Sequence, residues 1–456
     1  MERDHNCLFP KVFNFCTYPI IRIELIWGIS YDEGRLDNST LTMQTSKVKS
    51  LIRMIFEFVY IFGIILWYKG IESLYMSKST YRSKVSDIWY DRVCDPIKEE
   101  ATKSISLETA SKLSYLKPRL DPRTFEVQYL FIMLQKVGTF ISRFKTRRKA
   151  VFIKEYTALL EKLPDSMSKI KRIQPERVYS KVCRIKLLSY FFRVLFFFNK
   201  GIKVCYQVCF YEEYCMALNL AAKVSSVKSV DLQHGIQGSM HPAYFSWNIG
   251  NNLSHDLLPN EFQCWDEVST KNIKSWNLPG HQATQVGYQW VRDWKNPEWL
   301  SRHAPELSIV EDLPIVLVTL QPLGDFLPDQ LLYLIRHSSL PVKWYLRLHP
   351  RQLNQLDLFE RRIASMGLLG KVEVRQASTM PLPFLLSRSV SHITQWSSVV
   401  IEAAQFKVPS IVLDLKGKEL FKDYLSDRIA YFINLENDQL VRKVDKYIWE
   451  TVLAKE

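Results

Sequence analysis

From residue 305 onward the sequence alternates between short apolar runs and segments with helical spacing, and nothing else in the chain restricts its fold as strongly. Apolar Ile315 to Leu320 precedes a helix-like stretch from Asp329 to His337, and Val342 to Leu348 precedes one from Asn354 to Met366. Then come Val372-Glu373-Val374, a short helix around Phe384 to Ser387, a strand His392 to Trp396 and a helix Ser398 to Lys407. A strand Ser410 to Leu413, a helix Glu419 to Ser426 and a strand Tyr431 to Leu435 complete the pattern. Strands alternating with helices at this spacing form βαβ units on a parallel sheet, so a Rossmann-like domain is expected.

The segment from about 200 to 290 reads the same way. Lys203 to Phe210, Ser229 to Leu232, Phe262 to Trp265 and Thr284 to Val286 have strand character, with a helix from Glu212 to Val224. A chain of 456 residues exceeds one ordinary core and suits two α/β domains. The expected division is a partly helical N-terminal extension over 1–120, a Rossmann-like acceptor domain over 121–300 and a Rossmann-like nucleotide-donor domain over 301–456. Trp290 to Glu311, with Pro297, Pro305 and several charges, is the linker candidate. The expected fold is α/β, two Rossmann-like domains facing across a cleft.

A formal charge of +14 calls for an anionic partner. Cations cluster at Arg143, Lys145, Arg147, Arg148 and Lys149, and again at Lys169, Lys171 and Arg172. They interleave with large apolar residues, as where Arg193 interrupts the run from Tyr190 to Phe198. Such a surface sinks rings among lipid headgroups while its cations meet anionic lipid, so an anionic membrane surface is the expected partner; the other reading is a solvated basic face over buried aromatics. No nucleic-acid module is recognisable.

Eight cysteines without CxxC spacing support neither a zinc site nor a disulfide framework, and Cys205, Cys209 and Cys215 read as small core residues. A reducing cytoplasm, with the chain peripheral on the inner face of the cell membrane, is the expected location. Met54 to Tyr68 is the most membrane-like run, but it holds Glu57 and is shorter than the ~20 residues a span needs; it reads as a buried or interfacial helix.

Three strings lie at strand ends, where open α/β sheets bind ligands. In the first, Arg347-Leu348-His349-Pro350, Arg347 and His349 fall on one side if strand geometry persists, a cation and an imidazole suited to a phosphate. The second, Trp396-Ser397-Ser398, stands at a strand-to-helix junction where hydroxyls and unsatisfied amides attract anions, and Glu402 one turn later could accept from ribose hydroxyls; plain helix capping is the alternative. In the third, Leu232-Gln233-His234-Gly235, the imidazole of His234 is the candidate general base for a hydroxyl nucleophile, and Gly235 permits close backbone approach. Asp231 and His241 are its rivals.

Together a strand ending in Gln-His-Gly, a later basic-x-His-Pro strand end and Ser-Ser-x-x-x-Glu-Ala opening a helix resemble the bacterial surface-polysaccharide transferases of GT-B fold. These include capsule Kdo-transferase-like proteins, CDP-glycerol glycerophosphotransferases and the polysialyltransferase-like group. The resemblance covers residues 200 to 435. It implies metal-independent, inverting transfer from a CMP-, CDP- or UDP-linked donor, the nucleotide-sugar being substrate and no cofactor required, to a hydroxyl of a lipid-linked or polysaccharide acceptor. It further implies that His349 contacts the donor phosphate, Ser397 and Ser398 the phosphate or adjoining sugar, Glu402 the ribose, and that His234 activates the acceptor, with Arg347 on the donor side and Gln233, Gly235 and His241 on the acceptor side. The two-acids-then-glycine signature of bacterial sialyltransferases occurs only as Asp32-Glu33-Gly34, outside the α/β pattern, and the cleft segments hold no Asp-x-Asp metal site. A UDP-sugar 2-epimerase, or an inactive membrane-docked sugar-binding or assembly protein, is the alternative.

Overall fold

The computed structural model describes residues 11–12, 15–24, 52, 55–57, 59–61, 63, 70–98, 103–110, 115–161, 173–238, 241, 243–245, 247, 255–309, 311–322 and 327–451. Asp32-Glu33-Gly34, Lys169, Lys171, Arg172 and part of the Met54 to Tyr68 run lie outside them. The chain folds as two compact units. Met1–Ser83, Ile88–His234 and Pro242–Gly287 make the first, and Lys84–Asp87, Gly235–His241 and Tyr288–Glu456 the second.

In the first unit seven parallel strands form one sheet. They are β1 (Ser73–Lys78), β2 (Ser104–Thr109), β3 (Thr124–Glu126), β4 (Val204–Val208), β5 (Lys228–Leu232), β6 (Glu261–Cys264) and β7 (Gln282–Gln285). Their spatial order is β7-β6-β5-β4-β1-β2-β3. Helices α1 (Gln128–Ser142), α2 (Arg147–Glu161), α3 (Pro175–Phe198) and α4 (Glu213–Val224) pack with it. α4 is buried almost throughout, because its Tyr-Cys-Met-Ala-Leu-Asn-Leu-Ala-Ala run is small or apolar on every side.

The second unit has six parallel strands: β8 (Ile315–Thr319), β9 (Lys343–Arg347), β10 (Val372–Glu373), β11 (Ser389–Thr394), β12 (Ser410–Val412) and β13 (Ala430–Phe432). Their spatial order is β10-β9-β8-β11-β12-β13. β8 shows why periodicity reads clearly here: Val316 and Val318 enter one core and Ile315 and Leu317 another. A parallel strand covered on both faces needs such an unbroken apolar run. Helices α5 (Asp329–His337), α6 (Leu356–Ser365), α7 (Val399–Gln405) and α8 (Asn437–Thr451) belong to this unit.

Both sheets follow the doubly wound order, in which the first strand has the second on one side and the fourth on the other. The chain is therefore α/β with the two Rossmann-like domains expected of a GT-B protein.

Three sequence expectations need correction. Residues 1–120 are not a separate extension: β1 and β2 lie inside the first sheet, and β1 joins β2 to β4. Their apolar runs are too broken by Ser, Lys and Glu to stand out as strands. The linker candidate is folded instead into helices Gln289–Trp294 and Pro297–His303, because Trp290, Trp294 and Trp299 bury one another. Glu419 to Ser426 is broken at Phe421 into the end of one short helix, Leu415–Leu420, and another, Lys422–Ser426.

Candidate functional site

In the first unit the strand order reverses between β1 and β4, and the loops leaving these strands carry an unusual set of side chains. After β4 the backbone turns through Cys209, whose φ of 68° is the left-handed region a non-glycine residue seldom adopts. The amide of Phe210 donates to the Asp231 carboxylate (2.9 Å), and the Tyr244 hydroxyl donates to the same group (2.7 Å). Asp231 is fully buried; burial pushes its pKa up to about 6.

This bracing points the Cys209 thiol at His234, two residues beyond β5, with Sγ and Nε2 2.9 Å apart. The Tyr211 hydroxyl stands 3.3 Å from the same nitrogen, and the Tyr81 hydroxyl 2.8 Å from the sulfur. Burial pushes the thiol up to about 12, so it keeps its proton. The thiol also lies 3.5 Å from the Tyr211 hydroxyl, so Cys209, Tyr81 and Tyr211 share their hydrogens around Nε2. Burial lowers the pKa of His234, against the attraction of Asp231, so the ring is a neutral imidazole at pH 7. Beside it Lys78, at the end of β1, pairs with Glu212. Burial opposes the ammonium, but the Glu212 carboxylate outweighs it and raises the lysine pKa.

Under this edge lies a buried ion network. Arg82 pairs with Glu108 and lies 3.7 Å from Asp95, which holds Lys98 at 2.8 Å. Arg119 links Glu108 to Glu126 (3.2 and 3.0 Å), and Ser77 donates to Asp91. These charges satisfy one another, and they fix the ends of β1 and β2.

The other residues of the Gln-His-Gly string have different roles. Gln233 is fully buried: its carbonyl accepts from the Trp265 amide (2.6 Å) and its amide donates to Ser269 (3.0 Å), fastening the end of β5 to that of β6. A Cβ at Gly235 would meet nothing within 4 Å and its φ is not positive, so neither crowding nor backbone demands glycine there. Gly235–His241 is grouped with the second unit, which puts His234 and His241 in different units; the His241 amide donates to the Gly238 carbonyl (3.0 Å).

In the second unit the reversal falls at β8, flanked by β9 and β11. Arg347 ends β9, and its Nη1 donates to the carbonyls of Ala377 and Met380, both at 2.7 Å. His349 caps the 3-10 turn Pro350–Gln355, its Nδ1 accepting from the Arg351 amide at 3.2 Å. That bond fixes the tautomer, so Nε2 carries the proton and is a donor. Burial, then the charge of Arg351, lowers the pKa of the half-buried ring and keeps it neutral.

β11 ends at Thr394, so Gln395 and Trp396 lie in the loop beyond it. The Thr394 hydroxyl donates to the Thr319 carbonyl (3.0 Å) and accepts from the Ser397 amide (3.1 Å). Ser397 accepts from the Val399 amide (3.4 Å), whereas Ser398, exposed at the start of α7, caps no amide; Glu402 is half-buried one turn on. Behind this loop His392 bridges Thr319 (2.8 Å) and Ser410 (2.9 Å), and burial lowers its pKa to about 3.

Sequence reasoning missed several of these groups. Tyr81 and Glu212 sit on turns without a motif, Lys78 ends a strand the sequence did not reveal, and Cys209 was read as core filler. Gly417 is required sterically: a Cβ there would lie 2.0 Å from the Gln395 carbonyl oxygen and 2.5 Å from Val412. Its neighbour Lys416 stands 4.4 Å over the Trp396 ring, adding a cation beside Ser397. Among the described residues no group of three or more His, Cys, Asp or Glu side chains could hold a metal ion.

No protein-family model and no curated protein matches the chain. Among solved structures it is similar to the wall teichoic acid polymerase TagF in its H548A form, with 10% identity over 91% of this chain and 92% of that one and a TM-score of 0.45. It is similar to the UDP-GlcNAc 2-epimerase of Neisseria meningitidis bound to UDP-GlcNAc, with 13% identity, 83% and 91% coverage and a TM-score of 0.44. For the UDP-GlcNAc 2-epimerase of Methanocaldococcus jannaschii the values are 11%, 82%, 92% and 0.44.

Proposed function

We propose that the protein transfers a sugar or polyol phosphate from a nucleotide-activated donor to an acceptor hydroxyl, in the synthesis of a cell-surface polysaccharide on a lipid-linked acceptor. One observation carries this reading: each unit brings a neutral histidine to the carboxyl edge of its sheet, His234 against the Cys209 thiol in the loop after β4 and His349, a donor at Nε2, after β9.

For a sugar donor, the acceptor hydroxyl displaces the Cys209 thiol from His234 Nε2 and loses its proton to that nitrogen as its oxygen attacks the anomeric carbon. The bond from that carbon to the phosphate oxygen breaks, and its electron pair leaves with the nucleotide. His349 Nε2–H, the Ser397 and Ser398 hydroxyls and Lys416 offset the charge that grows on the phosphate, with Glu402 accepting from ribose.

Thermal shift with CMP, CDP, UDP and GDP tests the donor half, since a ligand that binds the native state raises its stability. Stabilisation by one nucleotide, lost in His349→Ala, is expected; no shift with any nucleotide counts against the reading. A second reading, a UDP-sugar 2-epimerase, draws on the Glu212 carboxylate at the same edge as His234. Donor consumed without acceptor to give an epimer, with no free nucleotide, selects it.

A further inference from the structure

The helices of the first unit carry apolar stripes that face outward. On α1 and its continuation, Val137, Phe140, Ile141 and Phe144 recur at helical spacing and are 42–58% exposed. On α3, Tyr190, Val194, Phe197 and Phe198 form a second stripe, 45–67% exposed. The helical residues Ile52, Ile55, Phe56, Val59 and Tyr60 form a third. These stripes are not the faces that hold the fold together, because Leu130 and Phe131 of α1, and Phe192, Leu195 and Phe196 of α3, already fill the core.

The charge beside them is mostly positive, although Arg177 and Lys181 pair with Glu24 and Arg184 with Glu213. Residues 128–154 contain seven lysines and arginines and no acid, and residues 177–203 the same. Arg143, Lys145 and Arg147 are exposed at the end of the α1 stripe. On α3, Lys186 and Arg193 lie 4.9 and 5.5 Å from the centre of the Tyr190 ring, and Lys200 lies 5.8 Å from that of Phe197. An open groove of about 480 Å³ between these helices and the start of α4 is lined by Lys136, Phe140 and Arg143 and by the Arg184–Glu213 ion pair.

We infer that the outer faces of α1 and α3 dock on an anionic lipid bilayer, with the aromatic and aliphatic stripes entering the headgroup boundary and the flanking cations meeting lipid phosphates. The charge selects this occupant: a second copy would set cation against cation, and no helix among the described residues is long and apolar enough to cross a membrane. The inference is independent of the reaction proposed above.

Flotation of the full chain with vesicles tests it. Binding is expected with phosphatidylcholine containing phosphatidylglycerol and not with phosphatidylcholine alone, and it weakens as salt rises. The exposed pair Phe197→Asp, Phe198→Asp, and separately Arg143→Glu with Arg147→Glu, should each weaken binding by about tenfold or more, with circular dichroism and nucleotide response unchanged. Equal binding to both vesicles, binding to neither, or a dimer by light scattering that the Phe197→Asp, Phe198→Asp variant dissolves would overturn the inference.

Discussion

The base role proposed for His234 depends on what surrounds it. Its Nε2 faces the Cys209 thiol, which burial keeps protonated. The pKa lowered by burial predicts that the pH–rate profile of kcat/KM rises on its acid side with a midpoint below 6.5, the ordinary histidine value. His234→Gln should reduce transfer by roughly 10²- to 10⁴-fold and leave the nucleotide thermal shift intact. Loss of both together would mean that the ring holds the fold and not the reaction.

A second histidine sets the response to acid. His392 is buried and neutral, with a pKa lowered to about 3, so below the ordinary value the unfolded chain takes up a proton that the folded chain refuses. Its contribution is intact above pH 6.5 and drains as pH falls toward 3. Urea unfolding followed at pH 7 and pH 5 should show a larger loss for the native chain than for His392→Gln, which cannot titrate. Equal losses would locate the acid sensitivity elsewhere.

At the scale of elements, the strand ends are held by fastenings as much as by ladders. Arg347, expected to face a phosphate, ties β9 to the carbonyls of Ala377 and Met380, and Gln233 ties β5 to β6. In the first sheet Arg82 does similar work between Glu108 and Asp95, its side chain 1% exposed. Arg82→Ala leaves Glu108 with Arg119 alone and Asp95 with Lys98 alone, and should cost about 3 kcal/mol in chemical denaturation. Replacing Arg82 and Glu108 together by apolar residues of similar volume should recover much of that loss, an outcome that separates lost charge balance from lost packing.

For the whole molecule, the buried clusters of the first unit share no residue with those of the second. Calorimetry should therefore show unfolding that departs from a single two-state transition, with a donor nucleotide raising the midpoint of one component only. A single transition that moves as a whole would contradict this.

How much of this the sequence revealed follows from how each part is built. The second unit was legible nearly strand by strand, because a parallel strand buried on both faces must be apolar throughout, as β8 is. The first three strands of the first unit were not, since Ser77, Glu108 and Thr109 are buried polar residues satisfied by partners far away in the chain. α8 was also missed, its apolar positions Leu440, Val441, Val444 and Ile448 set among charges at the end of the chain.

The sequence by itself determined the second parallel sheet, the later strands of the first, and the strand ends near which His234, His349, Ser397 and Ser398 stand, because hydrophobic period and turn chemistry are local properties. The tertiary structure alone decided which partners those residues and their neighbours hold. Hydrogen-bond partners such as Cys209 for His234, or Met380 for Arg347, are 25 and 33 residues distant, and only folding brings them within reach.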